Sequence, residues 1–111
     1  MKMELHDLPD GVTRITLTGD LDARGAGEID VQFQAVAASR QKVVVDLSQV
    51  GFLASIGIRT LIQAARANSG KGGKLVLLDP IEPVWKVITT CGADAVLPVA
   101  HGFDAAIAGV R

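Results

Sequence analysis

The chain is poor in the residues that most often advertise a chemistry. It has one cysteine, no tyrosine, and four aromatic residues spread along 111 positions as Phe33, Phe52, Trp85 and Phe103. A lone Cys91 has no partner for an internal disulfide and no companion for a cysteine zinc cluster, which suits a reducing compartment and makes a cytoplasmic location the expectation. Scattered aromatics supply no stacking platform for single-stranded nucleic acid. An excess of either charge is also missing: 11 Lys and Arg face 12 Asp and Glu, for a net charge of −1. Nucleic acid is therefore not an expected partner. No apolar run is long enough for a membrane span, and the mixed, charged stretch from Met1 to Asp10 does not read as a signal peptide, so no membrane insertion is expected. His6 and His101 lie far apart without a Ser, Cys or Asp constellation beside them, so nucleophilic catalysis has no visible machinery.

What is present is alternation and amphipathic periodicity. A length of 111 residues suits one domain, residues 1–111, with one core. Ile15 and Leu17 alternate with Arg14, Thr16 and Thr18, the period of a half-buried strand over Val12 to Thr18 that would end at Gly19 and lie toward the outside of its sheet. A weaker extended piece from Met3 to Leu8, followed by Pro9-Asp10-Gly11, would pair with it as a hairpin. Ala26, Ile29, Phe33, Val36 and Ala37 form one stripe of a helix from Arg24 to Ala38. Val43 to Leu47 reads as a central strand covered on both faces, and Leu75 to Leu78 as another buried strand.

Between those strands, Ile58, Leu61, Ile62 and Ala65 place a helix from Ser55 or Ile56 to Asn68. Pro83 opens a third helix that turns Val84, Val87, Ile88 and Cys91 inward and stops near Gly92. Pro98 confines Val96 to Val99 to a sheet edge. A fourth helix, from Gly102 to Val110, is expected to bury Phe103, Ala106, Ile107 and Val110. This order predicts an α/β fold: a mixed sheet that begins with a hairpin and continues parallel, with about four helices. Sites in such sheets gather beyond the carboxyl ends of the strands, which directs attention to the loop Ser48 to Ala54 and the helix start at Ser55.

The segment from Val43 to Leu61, together with Gly19-Asp20-Leu21-Asp22, Gly73 to Leu77 and Gly92, resembles STAS domains and in particular their anti-sigma-factor antagonists. That family runs from a strand ending in Asp-Leu, through an apolar turn, to Asp-Ser-Ser/Thr-Gly at a helix start. The serine after the Asp is its phosphorylation site. Ser55 occupies that position and Gly57 that of the glycine, while Ala54 and Ile56 replace the Asp and the second hydroxyl residue. The resemblance implies a signalling role in transcription control, with no cofactor and no enzymatic activity. Its partner would be an anti-sigma factor of serine-kinase type, or another STAS-binding protein such as a transport ATPase that carries a small STAS subunit.

Ser55 has two readings from its position alone. It can cap the helix, accepting a bond from an early backbone N–H, or it can present an exposed hydroxyl whose phosphorylation adds about two negative charges. Phe52, Leu53 and Ile56 would ring it as an apolar docking surface. Phe52 and Leu53 are also plausible turn plugs, Gly57 either part of the docking surface or a close-packing residue, and Arg59 either a solvated residue or a contact for an acidic partner. Asp20 and Asp22 lack the ligand count of a calcium loop, so no metal is expected. Turn and cap roles are the simpler assignment for them, and the family resemblance adds them to the docking surface. Gly70 to Lys74 resembles a phosphate loop only faintly, because it leads from helix to strand and no Ser or Thr follows its lysine.

Overall fold

A computed structural model describes every residue from Met1 to Arg111. Its five strands are β1 (Lys2–Asp7), β2 (Val12–Leu21), β3 (Lys42–Leu53), β4 (Lys74–Leu78) and β5 (Val99–Ala100). They lie side by side in chain order. β1 and β2 are antiparallel, and every other pairing is parallel. The helices are α1 (Ala23–Ser39), α2 (Ser55–Ser69), α3 (Glu82–Thr90) and α4 (Phe103–Val110). The mixed sheet and four helices expected from the pattern are present. No helix is long and apolar enough to cross a membrane.

Strand alternation divides the apolar residues between two layers. Ile15 and Leu17 of β2, Val43, Val45 and Leu47 of β3, and Leu75 and Leu77 of β4 point to one face. There they meet Ile29 and Phe33 of α1, Ile58 and Leu61 of α2, and Val84 and Ile88 of α3. Burying each large aliphatic side chain in such a layer contributes about 1.5–3 kcal/mol. On the opposite face Val12, Val44, Val76 and Leu78 are covered by Ala106 and Val110 of α4, with the partly buried Leu8, Ala100 and Ile107 packed against them. Double coverage is why Val43–Leu47 and Leu75–Leu78 read as nearly unbroken apolar runs.

The interruption at Asp46 is explained by an ion pair. Its carboxylate, only 5% exposed, binds the Arg14 guanidinium and accepts a bond from the Ser48 amide at 2.9 Å. Burial pushes the Asp46 pKa up, but the bonds from Arg14 and Ser48 outweigh it and leave the pKa below the ordinary aspartate value. A depressed pKa makes the pair stabilising above the unfolded-state value, with the contribution lost as pH falls through the folded one. Asp46→Asn is therefore expected to lower stability at pH 7. It should also remove part of the acid sensitivity below about pH 4, which urea unfolding across pH would record.

Several expectations shift. β2 is interior, since β1 lies outside it, and it runs through Gly19 to Leu21. β3 likewise continues to Leu53, so most of the expected loop Ser48 to Ala54 is strand. Two register irregularities, at Thr16/Thr18 and Gly19/Asp20, let the long strands stay paired where the sequence pattern breaks. β5 is shorter and later than expected, beginning just after Pro98, whose missing N–H limits sheet pairing. Cys91, expected inward, is exposed at the helix end. Phe103 is also partly exposed, with its ring 5.3 Å from the Arg14 guanidinium carbon, a contact whose charged member is far off in sequence.

Candidate functional site

The carboxyl ends of β2 and β3 create the candidate site. Asp20 pairs with Phe52 and Leu21 with Leu53 in the sheet register. The Ala54 amide then donates to the Leu21 carbonyl at 3.1 Å, so the Asp20–Asp22 turn is fixed beside the start of α2. Asp22 caps α1, its carboxylate accepting from the Gly25 amide at 2.8 Å. This is the cap role weighed for it. Asp20 remains exposed at the strand end.

Ser55 is not the cap of α2. Ala54 holds that position with extended backbone, and no side chain bonds the first amides; Ser55 is the first helical residue and is exposed. With no cap bond the hydroxyl has no structural task there. Phe52 is 52% exposed and Ile56 39%, so apolar side chains project on both sides of Ser55 in sequence. Arg59 is exposed one turn farther along α2.

Leu53 and Gly57, each open to a docking role or a packing role from sequence, take the packing role. Leu53 is buried in the main core, because the inward face of β3 continues to the strand's end. Gly57 is buried too, and a Cβ there would lie 2.3 Å from the Leu21 carbonyl oxygen. The absence of a side chain lets α2 approach β2 and sets the height of Ser55. Both residues position the surface without being offered to a partner.

The geometry also brings forward residues the sequence reading missed. Asp30 and Gly27 of α1 and Thr60 and Gln63 of α2 join Ile56 and Arg59 around an open groove of about 320 Å³ between the two helices. Gln34 Nε2 spans the helices farther along, donating to the Thr60 carbonyl at 3.0 Å. A cue existed in the spacing of Ile56, Arg59 and Gln63, but the opposite wall required knowledge of how α1 lies against α2. No group of three or more His, Cys, Asp or Glu side chains is arranged to hold a metal.

An apolar and charged rim thus surrounds an exposed serine at the carboxyl edge of a mixed α/β sheet. The STAS domain family model described as "Mlab, STAS domain" matches residues 5–98, and the chain belongs to that family. BtrV of Bordetella bronchiseptica, whose name assigns it provisionally as an anti-sigma factor antagonist, is 28% identical over the whole chain and 96% of its own length. The anti-sigma F factor antagonist of Paenibacillus polymyxa is 25% identical over 89% of this chain and 84% of its own. A crystal structure of an anti-sigma factor antagonist from Mycobacterium paratuberculosis superposes with a TM-score of 0.88 at 27% identity, covering 99% of this chain and 93% of that one. The fold is also that of SpoIIAA in its phosphorylated form, with a TM-score of 0.72 at 20% identity over 99% of this chain and all of that one.

Proposed function

We propose that the chain is an anti-sigma-factor antagonist, a binding module that engages an anti-sigma factor of serine-kinase type through the surface around Ser55 and is released when Ser55 is phosphorylated. The observation that carries this reading is the exposed, uncapping Ser55 between the exposed apolar residues Phe52 and Ile56. Asp20, Asp22 and Arg59 supply the polar margin. The names of the relatives support the general role.

Ser55 Oγ would attack the terminal phosphorus of a nucleoside triphosphate held by the partner. The bond to the bridging oxygen breaks, the nucleoside diphosphate leaves, and the hydroxyl proton passes to a base on the partner. The product does not unfold α2. Its first amides have no side-chain cap, and a helix N-terminus favours an anion by about 0.3–1 kcal/mol. The effect falls between molecules: a dianion placed against Phe52 and Ile56 must be desolvated under the partner, which weakens the complex.

A second reading is constitutive docking on another complex, such as a transport ATPase, with Ser55 unmodified. Ala54 and Ile56, in place of the family's acidic and hydroxyl residues, favour it. Affinity capture from the native cell extract, with mass spectrometry scoring both Ser55 phosphate and co-purified protein, separates the two. Switching predicts an anti-sigma factor captured by wild type and Ser55→Ala but lost with Ser55→Asp. Equal capture of one partner by all three would overturn the switch.

A further inference from the structure

We propose that the outer face of α1 is a self-association surface whose occupant is the same face of a second copy of this chain. α1 buries one apolar stripe and exposes a second row of small and apolar residues beside the charged Arg24 and Glu28. Ala26, Ile29, Phe33 and Ala37 are buried against the core. On the solvent side Ala23, Gly27, Val31 and Ala35 recur every fourth residue, and all four are exposed. Val31 is 86% exposed, the most exposed large hydrophobic side chain in the chain. A solvated helix face ordinarily carries polar residues at such positions.

Gly27 adds an independent observation. Glycine within a helix is unfavourable relative to alanine, and a Cβ at this position would meet nothing within 4 Å. No packing inside the chain requires the missing side chain. Its neighbour one turn on is the projecting Val31. A two-fold axis passing midway between them would set Val31 of each copy over Gly27 of the other, and Ala35 over Ala23, in an antiparallel helix pair. The largest exposed side chain of the face then meets the position that has none.

Charge points the same way. Asp30 on one wall and Arg59 on the other line the groove between α1 and α2, and neither takes part in an ion pair within the chain. Asp30 accepts a hydrogen bond from Gln34 Nε2 at 3.2 Å but has no cationic partner, and a face with one such anion and one such cation is complementary to itself in a two-fold contact, each Asp30 turned toward the other copy's Arg59. The sheet edges are poor alternatives. β1 carries Lys2, Glu4, His6 and Asp7, and β5 has two residues preceded by Pro98; charge, shortness and proline all oppose edge pairing. One helix face with a groove is smaller than the surface of a standard stable interface, so the association is weak and concentration-dependent. It covers Ile56 and Arg59, and would compete with a partner at Ser55.

Sedimentation equilibrium of the purified chain, from low micromolar to near-millimolar concentration, tests this without any other protein and regardless of how Ser55 behaves. The average mass of the wild type should rise toward twice that of the monomer. Val31→Glu and Gly27→Leu should each weaken association at least tenfold while keeping the wild-type circular dichroism spectrum. Asp30→Arg and Arg59→Glu should associate poorly alone and better when mixed. A wild type that stays monomeric over the whole range, or association that Val31→Glu leaves unchanged, would overturn the proposal.

Discussion

Asn68→Asp is expected to destabilise the chain by about 3–5 kcal/mol at pH 7, the range for leaving an uncompensated buried charge. Asn68 is 1% exposed near the end of α2. Its Nδ2 donates to the Arg40 carbonyl at 2.8 Å and lies 3.3 and 3.4 Å from the carbonyls of Ala37 and Gln41. The amide ties α2 to the end of α1 and to the turn leading into β3. An ionised aspartate has no hydrogen to donate and would direct its charge at three carbonyl oxygens. A domain of this size has only about 5–15 kcal/mol of stability in all, so much of the population would unfold. Burial and the carbonyls raise the folded-state pKa of the new carboxyl, so the cost is relieved as pH falls toward the unfolded-state value. Urea unfolding should find the variant closer to wild type at pH 5 than at pH 7. A pH-independent loss would assign the defect to packing instead.

Gly57→Ala is the second large effect, and two physical terms predict opposite signs for it. Helix propensity favours alanine over glycine by about 1 kcal/mol. Against this, the added Cβ would stand 2.3 Å from the Leu21 carbonyl oxygen and 2.8 Å from Leu21 Cγ and Leu53 Cδ1. The oxygen belongs to backbone held by the sheet and by the Ala54 amide, so α2 must move. Overpacking of this kind costs about 1–3 kcal/mol, and with rigid backbone as the obstacle the upper end applies, leaving a net loss of about 2 kcal/mol. Gly27→Ala is the control, since open space there leaves propensity alone and predicts a gain of about 0.5–1 kcal/mol. Thermal unfolding of the pair should give opposite signs. Two gains would mean that Gly57 does not set the approach of α2.

These residues show what the sequence made legible and what it did not. Periodicity placed the four helices and the buried strands because core-facing residues must recur at the helical or strand interval. The position of Ser55 at a helix start followed from the same pattern. That it does not cap the helix could not be read there, because whether the first turn begins at Ala54 or Ser55 depends on the extended backbone of Ala54 and its bond to Leu21. The extra length of β2 and β3 was hidden by two irregularities that break alternation without ending pairing. For Leu53 and Gly57 the sequence leaves surface and packing roles open, and only the structure shows that one turns inward at the strand end and the other lies against a carbonyl from β2. Nothing in the sequence marks Asn68 or the Arg14–Asp46 pair. Their partners are about 30 positions away in the chain, and local periodicity carries no trace of such contacts.

The central claim is that one added phosphate converts the surface around Ser55 from adhesive to repellent while leaving the fold intact. Calorimetric titration of the captured anti-sigma factor into the chain, unmodified or carrying phosphoserine at position 55, measures this directly. The account predicts binding weakened by about 100-fold, equivalent to ~2.7 kcal/mol, with no change in the melting curve of the modified chain large enough to explain it. Equal affinities for the two forms, or a modified chain that no longer folds, would contradict it.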